Sequence, residues 1–166
     1  MSLALIFSAI GATCLAVSSF AKQKKSMMAW QIADYIFTAI ANFMLGGYTG
    51  AITITVSIVR NSLIIIQKDS KNMTIFLVLI QIVLGSYFNK LGLIGYLPIL
   101  SSVSYTIATF MTDKVQWLRW VIIENMLLWL VYDLTIKAYP AVAMDIFISL
   151  STSFAIYKDY KKNSLS

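Results

Sequence analysis

The 166-residue chain has no histidine, one cysteine, two prolines and only seven acidic residues. Each shortage closes off a class of chemistry. Without histidine there is no imidazole base near neutral pH, no neutral nitrogen ligand for a metal, and no Ser–His or Cys–His nucleophile pair. The lone cysteine, Cys14, can form neither an intrachain disulfide nor a thiolate zinc cluster. No glycine-rich loop ending in Gly-Lys-Ser or Gly-Lys-Thr is present, so the chain lacks the usual phosphate cradle of an ATPase. Charged residues make up 12% of the chain, half of the about 25% usual in soluble domains. The expectation is a protein that is not an enzyme and that holds no metal and no cofactor.

What the chain does have is apolar length: 59% of it is hydrophobic, and its mean hydropathy is +0.78. Crossing a bilayer takes about 20 apolar residues. Seven such spans are drawn from hydropathy and loop signals: Ser2–Ala21, Met27–Leu45, Tyr48–Gln67, Met73–Phe88, Leu91–Thr112, Val115–Ile136 and Ala138–Tyr157. The fourth is the weakest, being short and carrying Gln81. Met1–Phe7 holds no Lys or Arg, so the first span reads as a retained helix and not as a signal peptide.

The basic residues follow the spans. Lys22, Lys24 and Lys25, then Lys68 and Lys71, then Lys114 and Arg119, then Lys158, Lys161 and Lys162 fall on one side if all the spans cross; Lys90 and Lys137 fall on the other. The positive-inside rule then puts the N-terminus outside and the C-terminus in the cytoplasm. The net charge of +6 belongs to loops and to a tail facing lipid headgroups, so it implies a membrane and no nucleic acid.

The chain also repeats. Phe20 and Trp30 match Phe110 and Trp120; beyond the second span the copies slip by one residue, bringing Tyr48 over Tyr139. Asp34 then lies over Asn125, or over Glu124 without the slip. The fold class expected is an all-α polytopic membrane protein with seven transmembrane helices. A three-helix bundle at 1–68 and a second one at 91–166, which ends in the basic tail, run parallel, joined by a linker helix at 69–90. Parallel repeats of this kind form a known transporter plan, with the site at the repeat interface near mid-membrane.

The spans carry polar residues that lipid penalises. Asp34, Thr38 and Asn42 form one helical stripe at i, i+4 and i+8, and Asn125, Trp129 and Asp133 form the matching one. Facing each other, they would line a polar cavity; packed, they would be an interhelical hydrogen-bond network. Arg60 lies deep in the third span beside Asn61, and is expected to pair with Asp34, Glu124 or Asp145. Such a pair is either structural or part of an anion clamp. Asp34, Glu124 and Asp145 are the candidates for carrying a proton. Trp129 sits too deep for an interfacial anchor, and either stacks on a solute or packs the core.

Particular strings add a resemblance. Phe20-Ala21-Lys22-Gln23-Lys24-Lys25, Trp30-Gln31, the run Asn42–Gly50, Ile58-Val59-Arg60-Asn61, Leu97-Pro98-Ile99-Leu100, and Trp129-Leu130-Val131-Tyr132 with Tyr139 are similar to the Imp-YgjV family of small bacterial inner-membrane proteins. That resemblance implies a bacterial cytoplasmic membrane location more than an activity. More loosely, the plan resembles SWEET sugar facilitators and PnuC vitamin-precursor permeases. The SWEET resemblance implies a kinking, hinge-like Pro98 in the middle of the fifth span and a substrate-facing Asn61; Ser8, at the place matching Pro98, departs from it.

The function expected is a permease for a small polar metabolite such as a sugar, nucleoside or vitamin precursor, working by alternating access. The alternative is a non-transporting membrane accessory subunit. The substrate-binding candidates are Asp34, Thr38, Asn42, Arg60, Asn61, Asn125, Trp129, Asp133 and Asp145. Membrane lipid and a small-molecule solute are the expected partners, and a homo-oligomer is left open.

Overall fold

A computed structural model of the protein describes residues 2–19, 24–68, 70–111 and 115–163. Phe20, Lys22 and Lys114, used above in the repeat and charge arguments, lie outside the described residues. The described chain is seven α-helices with no strand among them: α1 Ser2–Ser19, α2 Lys24–Met44, α3 Tyr48–Ile65, α4 Lys71–Tyr87, α5 Leu97–Met111, α6 Val115–Ile136 and α7 Tyr139–Asn163. A short 3₁₀ turn, Ile94–Tyr96, leads into α5.

The weak fourth span is a full helix. Ser70 caps it by accepting a hydrogen bond from the Met73 amide. The lysines at the end of the chain are helical, since α7 continues to Asn163.

Pro98 is corrected by the fold. The fifth span was drawn from Leu91, which put this proline in mid-helix, but α5 begins at Leu97 and Pro98 is its second residue. A proline there lacks an N–H that would have had no intrahelical partner, so it starts the helix and does not kink it. Pro140 occupies the same place in α7.

Neighbouring helices pack in chain order. α2 lies between α1 and α3, and α6 between α5 and α7. The two sets meet along α3 with α5 and along α1 with α7, while α4 rests on α3 and α5.

The turns after α2 and α6 are built alike. After α2, Gly46 N donates to Phe43 O (3.2 Å) and Gly47 N to Asn42 O (2.8 Å). After α6, Lys137 N donates to Leu134 O (3.3 Å) and Ala138 N to Asp133 O (2.9 Å). Both close a Schellman turn through a left-handed residue, Gly46 at φ 80° and Lys137 at φ 62°. The match sets Asn42 on Asp133. Each helix is continuous back from its turn, so Asp34 lies over Asn125 and not over Glu124.

The interior is polar and the exterior apolar. Among the described residues the buried set is dominated by Ser, Thr, Asn, Asp, Gln and Arg, whereas Phe43, Val83, Leu93, Leu100, Leu150 and Phe154 are well exposed. A water-soluble domain has the reverse distribution. Tyr48–Ile65 and Tyr139–Lys158 are long and apolar enough to cross a membrane; Leu3–Ser18, Lys71–Tyr87 and Ile94–Ala108 are apolar but shorter.

Candidate functional site

The polar interior divides into two parts, one on each side of α2. Asp34 and Tyr35 are consecutive on that helix, and consecutive residues point about 100° apart. Asp34 turns towards α1 and Tyr35 towards α3.

On the α1 side, the stripe expected from spacing is continuous. Thr38 Oγ1 donates to Asp34 Oδ1 (2.7 Å), and Asn42 Nδ2 donates to the Thr38 carbonyl (3.0 Å). Gly11 of α1 lies flat against this stripe. A Cβ there would run into Thr38 Oγ1 and come within 2.9 Å of Asp34 Oδ1. Close approach is what glycine permits at such a crossing.

Two more carboxylates share this region. Asp133 of α6 lies within Coulombic reach of Asp34, and Asp145 of α7 within reach of both. All three are buried, at 4%, 2% and 6% exposure for Asp34, Asp133 and Asp145. Asp133 Oδ1, Asp145 Oδ2, Asn42 Oδ1 and the Ser8 hydroxyl are buried without a hydrogen-bond partner. Buried polar atoms are nearly always paired, so four unpaired oxygens in one molecule call for an explanation.

Tyr132 fastens this region to the first set of helices. Its hydroxyl accepts from the Gly50 amide (2.9 Å). Gly50 is in the first turn of α3, where amides have no intrahelical partner, and Gly47 supplies no side-chain cap. A distant tyrosine therefore caps α3. Its ring fits because Gly47 and Gly50 have no side chains: a Cβ on Gly50 would meet Tyr132 Cε1 and Oη at 2.8 Å. Trp129 stands edge-on to Tyr132, centroids 5.6 Å apart, and is half-buried against the Tyr132, Ile136 and Ala138 cluster.

On the α3 side Arg60 is the centre, and here the expected ion pair is corrected. Its polar contacts among the described residues are not carboxylates. Nε donates to Asn61 Oδ1 (3.2 Å) and Nη1 to Thr106 Oγ1 of α5 (2.8 Å). The guanidinium lies 5.0 Å from the Tyr105 ring centroid, within cation–π range. The Tyr35 hydroxyl is also in hydrogen-bonding reach. Asn61 Nδ2 donates on to Gln31 Oε1 (3.1 Å). The reason is the turn of α2 just described, which aims Asp34 away from α3.

The remaining bonds tie helices together. Ser57 of α3 and Ser102 of α5 are 3.3 Å apart, and Ser102 donates to Gln81 Oε1 of α4 (2.6 Å). Ser101 of α5 donates to Asn125 Oδ1 of α6.

Of the residues singled out by sequence, Asp34, Thr38, Asn42, Asp133 and Asp145 come together, with Trp129 at the edge. Arg60 and Asn61 form a separate network. Asn125 is held by Ser101, and Glu124 is exposed, apart from both groups. Spacing did not single out Gln31, Tyr35, Tyr105, Thr106 and Tyr132 as site residues. Tyrosines and threonines in apolar spans carry little signal of their own. Gln81 did carry a signal: a buried glutamine in a helix needs partners, and Ser102 provides one for Oε1, while Nε2 is left without one.

The curated proteins and the solved structures contain no match to the chain, and so give the looser likeness to SWEET and PnuC transporters no support. One family model, described as a bacterial inner membrane protein, matches residues 2–163. With nearly its whole length matched, and with an apolar coat around a polar interior, the chain belongs to the Imp-YgjV family of bacterial inner membrane proteins.

Proposed function

We propose that the protein is a multi-pass permease for a small polar solute, with α1–α3 and α5–α7 as the two moving bundles and α4 as their linker. The N-terminus is outside and the C-terminus cytoplasmic, following the lysine distribution. The carrying observation is the group of three buried carboxylates on α2, α6 and α7, contributed by both bundles, with no basic side chain bonded to it among the described residues. Charges in hydrocarbon are costly. Stability alone gives no reason to collect three of one sign at a helix interface, whereas a solute pathway does. Alternating access would open this region to each side in turn by rocking one bundle against the other.

Uptake into proteoliposomes of the purified chain tests the reading. Saturable entry of at least one small polar solute is expected, and Asp34→Asn should reduce it. A folded preparation that moves nothing in a panel of sugars, nucleosides, vitamins and amines would count against it.

A second reading is a non-transporting accessory subunit. The bonds Ser57–Ser102–Gln81 and Ser101–Asn125 favour it, because they join α3, α4, α5 and α6 as static packing would. Under that reading Asp34→Asn and Asn61→Ala change stability and leave transport phenotypes untouched.

A further inference from the structure

Arg60 is the one basic side chain among the described residues that is buried, at 7% exposure. Its neutral partners hold it without cancelling its charge. A guanidinium offers five N–H groups. Asn61 Oδ1 takes one and Thr106 Oγ1 another, and the Tyr35 hydroxyl is in reach of a third. Two are left, and no carboxylate among the described residues bonds the group. A charge inside a membrane protein calls for a partner of opposite sign. Asp34 does not provide it, since its carboxylate lies against Gly11 of α1.

The partners of Arg60 are themselves fixed. Thr106 donates its own proton to the Ser102 carbonyl (2.6 Å), which leaves an oxygen lone pair for Nη1. Asn61 spends its amide on Gln31 Oε1, which turns its oxygen towards Nε. The Tyr105 ring lies 5.0 Å from the guanidinium. The guanidinium is thus oriented before anything binds, and a preorganised group pays less entropy on binding.

The place is also open. Gln31 and Tyr35 of α2 and Tyr105 of α5 are half-buried, not sealed in. α2 and α5 each pack along α3 and not along each other, so α3 is the floor between two walls. The contact of α3 with α5 is also one of those that join the two sets of helices. A flat fork of N–H groups matches an oxyanion, which accepts two parallel bonds. A halide offers a single point, and a neutral carbonyl brings no charge.

We propose that Arg60, held by Asn61, Thr106 and Tyr105, binds the oxyanion, carboxylate or phosphate, of a small solute. Passage of that solute across the membrane rests on the permease reading, and binding is measured separately. The substrate class narrows from small polar metabolites to anionic ones.

The test uses the purified full chain in non-ionic detergent. Its thermal midpoint is followed with sodium butyrate, sodium phosphate, sodium chloride and butyramide at matched ionic strength, and with short-chain phosphatidylglycerol against phosphatidylcholine. Butyrate and phosphate should raise the midpoint; chloride and butyramide should not. Arg60→Gln should abolish the shift. Arg60→Lys keeps the charge and loses the fork, so it should need about tenfold more butyrate, the equivalent of one lost charge-assisted bond. Lys68→Gln, which removes an exposed charge just past α3, should keep the shift. An equal response to chloride, no response to either oxyanion, or a full response in Arg60→Gln would overturn the site. A response to phosphatidylglycerol alone would make the ligand a lipid headgroup and overturn the solute. Saturation-transfer NMR of butyrate reads the same site on the unsubstituted protein. Transfer that phosphate displaces and chloride does not is expected; no transfer, or transfer that phosphate leaves untouched, refutes it. Binding without uptake of any anionic solute into proteoliposomes would refute the permease reading and leave the site standing. Uptake of neutral solutes without oxyanion binding would do the opposite.

Discussion

The two three-helix sets are built on one pattern and furnished differently. Where α1 crosses α2, Gly11 lies against Asp34; where α5 crosses α6, Ser101 bonds Asn125. One crossing keeps a carboxylate and gives it a bare glycine. The other replaces both partners and satisfies both. At the next matched position Ala41 in α2 corresponds to Tyr132 in α6, and both are buried. Tyr132 reaches over to Gly47 and Gly50, whereas the residues matching those glycines are Ala138 and Ala141. Bulk gained in one half is given up in the other. The same backbone therefore holds a carboxylate against a bare glycine at one crossing and a bonded serine–asparagine pair at the other. A duplicated framework does not dictate which residues may be strained; its side chains do.

Substitutions can break this contrast, beginning with the largest effect. Gly50→Val drives a branched side chain into Tyr132 and Asn42 and should cost about 3 kcal/mol or more, seen as a large drop in the thermal midpoint in detergent. Ser101→Ala introduces no clash and leaves only the Asn125 Oδ1 unpaired, so it should cost less, about 1–3 kcal/mol. Tyr132→Phe removes the cap on the Gly50 amide and leaves a buried N–H, a loss of about 1–3 kcal/mol in the same measurement. Asp34→Asn should lower solute uptake about tenfold, or about 1.4 kcal/mol, with the protein still folded. Adding Asn125→Asp should not restore it, since Ser101 holds position 125; recovery would show that the two crossings are interchangeable. The smallest change is in the turns. Lys137→Gly relieves a left-handed lysine and should add about 0.5–1 kcal/mol of stability, while Gly46→Ala should remove about as much.

Hydropathy was enough to place all seven helices, and α6 begins and ends where it was drawn. The i, i+4, i+8 spacing also identified Asp34, Thr38 and Asn42 as one face, because helical periodicity is a local property. What faces that face is not local. Arg60 was matched with carboxylates on charge alone, but a rotation of about 100° between Asp34 and Tyr35 on α2 sends the acid to α1 and the phenol to α3. Pro98 was misplaced for a different reason. The apolar run Leu91–Tyr96 is continuous with α5 in hydropathy, and only the break at Gly92 and the 3₁₀ turn separate them. Tyr132 shows the limit most clearly, since its partner, the Gly50 amide, is a backbone atom with no signature in the sequence.

The polar interior has a thermal consequence. Heat capacity rises on unfolding when apolar surface meets water and falls when polar surface does. This molecule already presents its apolar side outward, and what its helices hide from one another is largely amide, hydroxyl and carboxyl. Separating them should raise the heat capacity less than unfolding a water-soluble domain of this size does, so the stability curve should be shallower.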